Sequence, residues 1–292
     1  MWILCALVAA VGGAGTSFAL KQAVARGGSL VSTVAARLLA GTLLLALVMA
    51  LGGWPDAPPA YWRALSMVIV PEVMGTVFLT LALREGELSQ VQPLTGLLPI
   101  LVMLGGIAFL GEVPTVAAAL GVTLVACGVY CVGLRPGGSA LEPLRALARS
   151  RASWYAVTSA CAWSITTLIH KRGIAAVGPF PWAVTLAFGS ALGIAAALPF
   201  LARRGGVGIP ERTGPWTGFV LLAGCSFALQ QVGLHVALRA TQAGYVMAVA
   251  ATSIVIGTGL GIVVLGERSS ACNRAAGACL ISAGAATIAL FG

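Results

Sequence analysis

Four groups of polar side chains interrupt long apolar stretches of this sequence, and their spacing limits what they could do. Trp163, Thr166, Thr167 and His170 recur at intervals of three and four, so a helix carries them on one face. An indole, two hydroxyls and an imidazole suit the binding of a small zwitterion or an aromatic ring. The plainer reading makes the threonines hydrogen-bonding glue between helices, with Lys171 snorkelling to an interface. Phe227, Gln230, Gln231, Leu234 and His235 form the second group, in which a buried glutamine would either line a cavity or bridge two helices. Glu72, Gly75, Thr76 and Leu79 share a third face, with Phe78 beside it, and there Gly75 would equally permit a close helix contact.

Glu72 is the one acid near the middle of an apolar stretch, directly after Pro71, which interrupts the helical hydrogen-bond ladder. Intramembrane acids usually face a bundle interior or a cavity. Glu72 is read as a group that binds a substrate ammonium or carries a coupling proton, against a neutral hydrogen-bonded acid near a symmetry axis. On that reading Glu72→Gln lowers transport and leaves folding intact. The fourth group, Gln92, Pro93, Thr95, Gly96 and Pro99, holds two prolines six residues apart. Irregular backbone of this kind is tolerated at membrane depth only beside protein or a wet cavity, so Pro93 and Pro99 are read as a hinge. Glu112 and Glu267 each follow a glycine and are read as turns in which the acid opens the next helix.

Bond-making chemistry finds little support. His170 and His235 are the only histidines, no Gly-x-Ser-Gly stretch supplies a nucleophile, and no His/Glu metal set is present. No catalytic residue, metal or cofactor is expected. The seven cysteines match no zinc spacing and are read as small core hydrophobes.

Composition explains what must position these groups. Of 292 residues 59% are hydrophobic and 9% charged, against about a quarter charged in soluble domains. The expected fold is an all-α integral membrane protein, with ten spans surrounding a central cavity. They run over Ile3–Ala25, Leu30–Leu51, Trp62–Leu83, Leu88–Leu110, Thr115–Leu134, Ser153–Ile174, Trp182–Leu201, Pro215–Leu238, Ala243–Leu265 and Ala271–Phe291. The first lacks a preceding basic residue and is too long for a cleaved signal. Gly12-Gly13-Ala14-Gly15 lies inside that span with no strand before it, which removes a dinucleotide-loop reading.

The two halves repeat. Ala82-Leu83-Arg84 returns as Ala237-Leu238-Arg239, Leu110-Gly111-Glu112 as Leu265-Gly266-Glu267, and Lys21 as Lys171. Residues 1–135 and 152–292 are read as two five-helix repeats joined by a basic linker, 136–151. Five is odd, so the second copy inserts upside down, a plan of secondary transporters that places substrate at the repeat interface.

The net charge of +9 is an orientation signal, since the basic residues sit at span ends without the interleaved aromatics of a nucleic-acid face. Odd links hold Lys21, Arg26, Arg84, Arg135, Arg145, Arg149, Arg151, Arg203, Arg204, Arg212, Arg268 and Arg274; even links hold Arg63, Lys171, Arg172 and Arg239. The positive-inside rule puts the odd links in the cytoplasm and both termini outside. Arg37 lies just inside the second span on the odd side.

Arg37-Leu38-Leu39-Ala40-Gly41, Pro93 through Pro99 with Leu110-Gly111-Glu112, Gly121 through Gly128, Leu265-Gly266-Glu267-Arg268 and Gly277 through Gly284 together resemble the drug/metabolite transporter superfamily, in its EamA-like branch. The resemblance implies a transporter of small metabolites or drugs, and it is nearest to the aromatic amino acid exporter subgroup. It departs in that the second half lacks partners for Arg37, Pro93 and Pro99. The proton-coupling glutamate of the small four-span relatives has no counterpart in spans one and six. Several eukaryotic relatives place both termini in the cytosol, opposite to the charge count here. The expectation is a secondary transporter of the cytoplasmic (inner) membrane, exporting amino acids by alternating access. Its partners are a small-molecule substrate and the bilayer, with no nucleic acid, and a monomer suffices. The competing readings are an intramembrane enzyme, a channel or lipid scramblase, and a drug as substrate.

Overall fold

The computed structural model describes residues 1–26, 29–86, 91, 94–95, 97–134, 150–202, 214–264 and 271–291. They build a bundle of helices, α1 (Trp2–Ala25), α2 (Ser29–Ala50), α3 (Pro59–Glu85), α4 (Leu98–Gly105), α5 (Val116–Gly133), α6 (Arg151–Val177), α7 (Pro179–Ala202), α8 (Gly214–Ala240), α9 (Ala243–Ala250), α10 (Thr252–Val264) and α11 (Ala271–Phe291). Local chemistry sets several ends. Pro59 opens α3, where its missing N–H is no loss. Thr115 caps α5 by accepting from Ala118 N at 3.1 Å, and Ser150 caps α6 by accepting from Ser153 N at 3.4 Å.

The bundle is apolar outside as well as in its core, with a small set of buried polar side chains. Leu4, Val70, Phe109, Leu192, Phe200 and Leu290 point outward, each more than 60% exposed. Arg37, Glu72, Thr76, Thr80, Ser159, His170, Ser190 and His235 are buried. Water would penalise so large an apolar exterior, whereas lipid tails accept it. Five helices (α1, α2, α3, α7 and α8) contain stretches long and apolar enough to cross a membrane. With 27 residues α6 is long enough, but it carries the serines, threonines and histidine of the first polar group.

Four helix pairings organise the bundle: α1 lies along α8, α3 along α6, α2 against α7, and α5 against α11. Glycine lets the last pair approach to backbone contact. A Cβ on Gly128 would sit 2.7 Å from Gly277 O and Ile281 N, and one on Gly121 would sit 2.8 Å from Gly284 O. Small residues permit such crossings where apolar burial gives no drive between helices.

Three sequence expectations change. The stretch expected as an unbroken span over Ala243–Leu265 divides into α9 and α10 at Ala251, next to the Thr252 hydroxyl, which donates to Val249 O at 2.8 Å. Before Gly111, the fourth expected span ends in a π-helical turn, Gly106–Leu110, closed by Glu112 N donating to Gly106 O at 3.1 Å. Four of the described cysteines, Cys127, Cys161, Cys225 and Cys279, are exposed and not in the core, while Cys131 is half-buried and Cys5, half-buried, packs against the core. The exposed four sit on the apolar exterior, where a thiol is as acceptable as a methyl group.

The close α5–α11 crossing is testable. Gly128→Ala is expected to destabilise by about 1–3 kcal/mol through forced separation of the two backbones. Gly218→Ala, on α8 with nothing within 4 Å of its would-be Cβ, is expected to leave stability unchanged or raise it slightly. Thermal unfolding of the two purified variants in detergent checks the contrast.

Candidate functional site

A cavity of about 190 Å³ lies between α1, α2, α3, α4, α6, α8, α9 and α10. Its polar wall is built on α3. Although Pro71 removes one backbone donor, the helix continues from Pro59 to Glu85 and presents Glu72, Thr76 and Thr80 inward, one turn apart. The Glu72 carboxylate accepts a hydrogen bond from Arg37 Nη1 of α2 at 2.9 Å, and the two side chains are only 6% and 7% exposed. Nη1 also donates to Ser190 Oγ of α7 at 2.7 Å, and Nη2 donates to Thr76 Oγ1 at 2.6 Å. The guanidinium carbon lies 4.3 Å from the centre of the Phe227 ring on α8, in cation–π range. The Thr166 hydroxyl of α6, also on the cavity wall, donates to Trp163 O at 3.0 Å.

Most of the expected site residues meet here. Glu72, Thr76, Trp163, Thr167, His170, Phe227, Gln230 and Gln231 line the cavity. Trp163 packs its indole on Gly75, where a Cβ would come within 2.6 Å of the ring, so Gly75 positions the tryptophan. The Thr167 hydroxyl donates to Trp163 O at 2.7 Å, and the Thr76 hydroxyl donates to Glu72 O at 2.9 Å. Both hydroxyls keep acceptor capacity toward the cavity. His170 accepts at Nδ1 from Trp182 Nε1 at 3.3 Å and stands edge-on to His235, ring centres 5.1 Å apart. His235 is fully buried, and neither of its ring nitrogens has a hydrogen-bond partner among the described residues.

Phe78 is not in this group: it stacks on Tyr155 of α6 at 5.7 Å. Pro99 lines the cavity from the first turn of α4, a position where proline is at home, and not from the interior of an irregular helix. Pro93, the other expected hinge residue, lies outside the described residues, as does Glu267.

A second ion pair joins the halves at the other end of α6. Lys171 donates to Glu112 and, at 2.9 Å, to Thr241 O. The Glu112 carboxylate also accepts from Ala243 N, at 3.0 and 3.2 Å to its two oxygens. It therefore caps α9 of the second half, while Thr115 caps the helix that follows it in sequence. Glu112 does sit in a turn, with Gly111 at φ 66°, but Lys171 is its partner and not an interfacial snorkel.

The sequence reading gives Arg37 a place in the family resemblance and just inside the second span but no site role, and it gives Ser190 none. Arg37 had a readable signal: a lone arginine inside an apolar span needs a counter-charge, and Glu72 is the acid at similar depth. Ser190 had none. The pairing also changes the expectation for Glu72→Gln, which now leaves a buried guanidinium uncompensated. The single variant is expected to lose about 3–5 kcal/mol of stability. Arg37→Met combined with Glu72→Met removes both charges, and Thr76 and Ser190 keep their backbone acceptors. Thermal unfolding should place the double variant closer to wild type than Glu72→Gln alone.

Comparison with known proteins agrees with this picture. No curated protein matches the sequence. The fold is similar to that of a solved structure titled only as the crystal structure of a protein, with a TM-score of 0.72 over 99% of each chain at 18% identity. At that identity the likeness speaks for the fold alone. Residues 1–134 match the EamA-like transporter family. The match covers somewhat less than half of the chain, which is similar there to that transporter family, and five of the described helices are long and apolar enough to cross a membrane.

Proposed function

We propose that the chain is a secondary transporter that exports small metabolites, amino acids foremost, across the cytoplasmic membrane by alternating access. The observation that carries this reading is the cavity holding Arg37 and Glu72, to which helices from both parts of the chain contribute. Its size favours a small metabolite over a drug: about 190 Å³ falls short of the roughly 300–1,000 Å³ typical of drug-sized sites. Its lining combines one cation, one anion, amides and two aromatic rings, a set that matches the two charged ends and the side chain of an amino acid.

Two inverted five-helix repeats with ten spans are part of the proposal. The helix pairings support them, because exchanging the halves turns α1 with α8 into α6 with α3. The lysines do as well. Lys21 donates to Leu83 O and Gly86 O at 2.6 Å, and Lys171 donates to Thr241 O at 2.9 Å, which is the position equivalent to Gly86. A rocking motion of one repeat against the other would expose the cavity to each side in turn. The Ala251 break between α9 and α10 and the turn at Pro99 both border the cavity and are suited to absorb it. Orientation follows the basic residues, with both termini outside.

Counterflow in liposomes tests the reading. Purified protein loaded with one unlabelled L-amino acid at a time is expected to drive saturable uptake of the same labelled compound. Trp163→Ala is expected to weaken the apparent affinity by about tenfold, the value of one aromatic contact. Flux linear in concentration would indicate a channel, and chemical conversion an enzyme. Absence of exchange with every L-amino acid would end the amino acid assignment.

A further inference from the structure

Arg37 and Glu72 are the charged side chains among those lining the cavity. They touch each other, so the cavity holds one positive and one negative group and is neutral overall. Arg37 also has neutral partners that do not need the ion pair, Ser190 and Thr76. The Arg37–Glu72 contact runs through one carboxylate oxygen and is not the two-bond fork that arginine makes with carboxylates at its strongest. A desolvated ion pair stabilises a fold little more than well-packed apolar side chains do, so fold stability gives no strong reason for it.

From these observations, and resting on the transport reading above, we infer that the pair is the receptor for the two charged ends of a zwitterion. The ligand's carboxylate takes the Arg37 guanidinium in place of Glu72, and its ammonium takes the Glu72 carboxylate. Arg37 is thereby a specificity-determining residue. The exchange conserves charge: one buried ion pair becomes two, with no bare charge at any stage of a concerted swap. A ligand carrying only an ammonium or only a carboxylate would leave one member of the pair unmatched in a low-dielectric cavity, at a large penalty. Phe227, against the guanidinium face, holds Arg37 in place while its carboxylate partner changes. Trp163, packed on Gly75 and lining the same cavity, is placed to meet the ligand's side chain.

The test uses wild-type protein in liposomes and a series of three compounds. The L-amino acid that exchanges best is compared with the amine that lacks its carboxylate and with the acid that lacks its amino group. The two analogues are expected to compete at least ~30-fold more weakly than the amino acid. The Arg37→Met/Glu72→Met double variant, judged folded by its thermal transition, is expected to lose that discrimination. Equal competition by amine, acid and amino acid against wild type overturns the assignment without any variant. A folded double variant that still prefers the zwitterion overturns it too, while the transport reading stands. Wild-type protein that exchanges no amino acid removes the amino acid assignment and this inference together.

Discussion

An arginine and a glutamate buried side by side in lipid-facing helices constrain everything around them. Neither charge is tolerable alone in such surroundings, so α2 and α3 must keep a fixed register that holds Arg37 and Glu72 2.9 Å apart. The register is reinforced from two other helices. Ser190 on α7 shares the guanidinium, and Phe227 on α8 lies against its face. Because those helices belong to different parts of the chain, the polar network acts as a clamp between them. The cavity is the space that this clamp leaves beside it.

The rest of the bundle meets two demands, an apolar exterior and close helix contacts. Where apolar burial provides no drive between helices, backbone proximity and polar ties take over. The glycine crossings of α5 with α11 supply the first. The Glu112–Lys171 pair supplies the second, joining the turn before α5 to α6 and to the start of α9.

Much of the site was legible in the sequence, for a specific reason. Polar residues are few inside the apolar stretches, so helical spacing alone grouped Trp163, Thr167 and His170, and likewise Glu72 and Thr76, although Thr42 and Thr123 turn outward with their hydroxyls bonded one turn back. The repeat of Lys21 as Lys171 also pointed to equivalent environments, and both lysines do bind carbonyls at a helix end. What the sequence did not yield were partnerships across helices. Spacing along one helix cannot say that Arg37 meets Glu72, that Glu112 caps a helix more than a hundred residues away, or that Phe78 turns toward Tyr155. Nor did it show the break at Ala251, because the residues on both sides read as one apolar run. The cysteines were misplaced because a thiol suits a lipid-facing surface as well as a packed core.

The central claim is that a ligand enters the cavity by dividing the Arg37–Glu72 pair. An experimental structure with the best-exchanged amino acid bound tests it most directly. The account predicts the ligand carboxylate on the Arg37 guanidinium and its ammonium on Glu72, with the Arg37–Glu72 separation longer than the present 2.9 Å. A ligand bound elsewhere, with that contact unchanged, would contradict it.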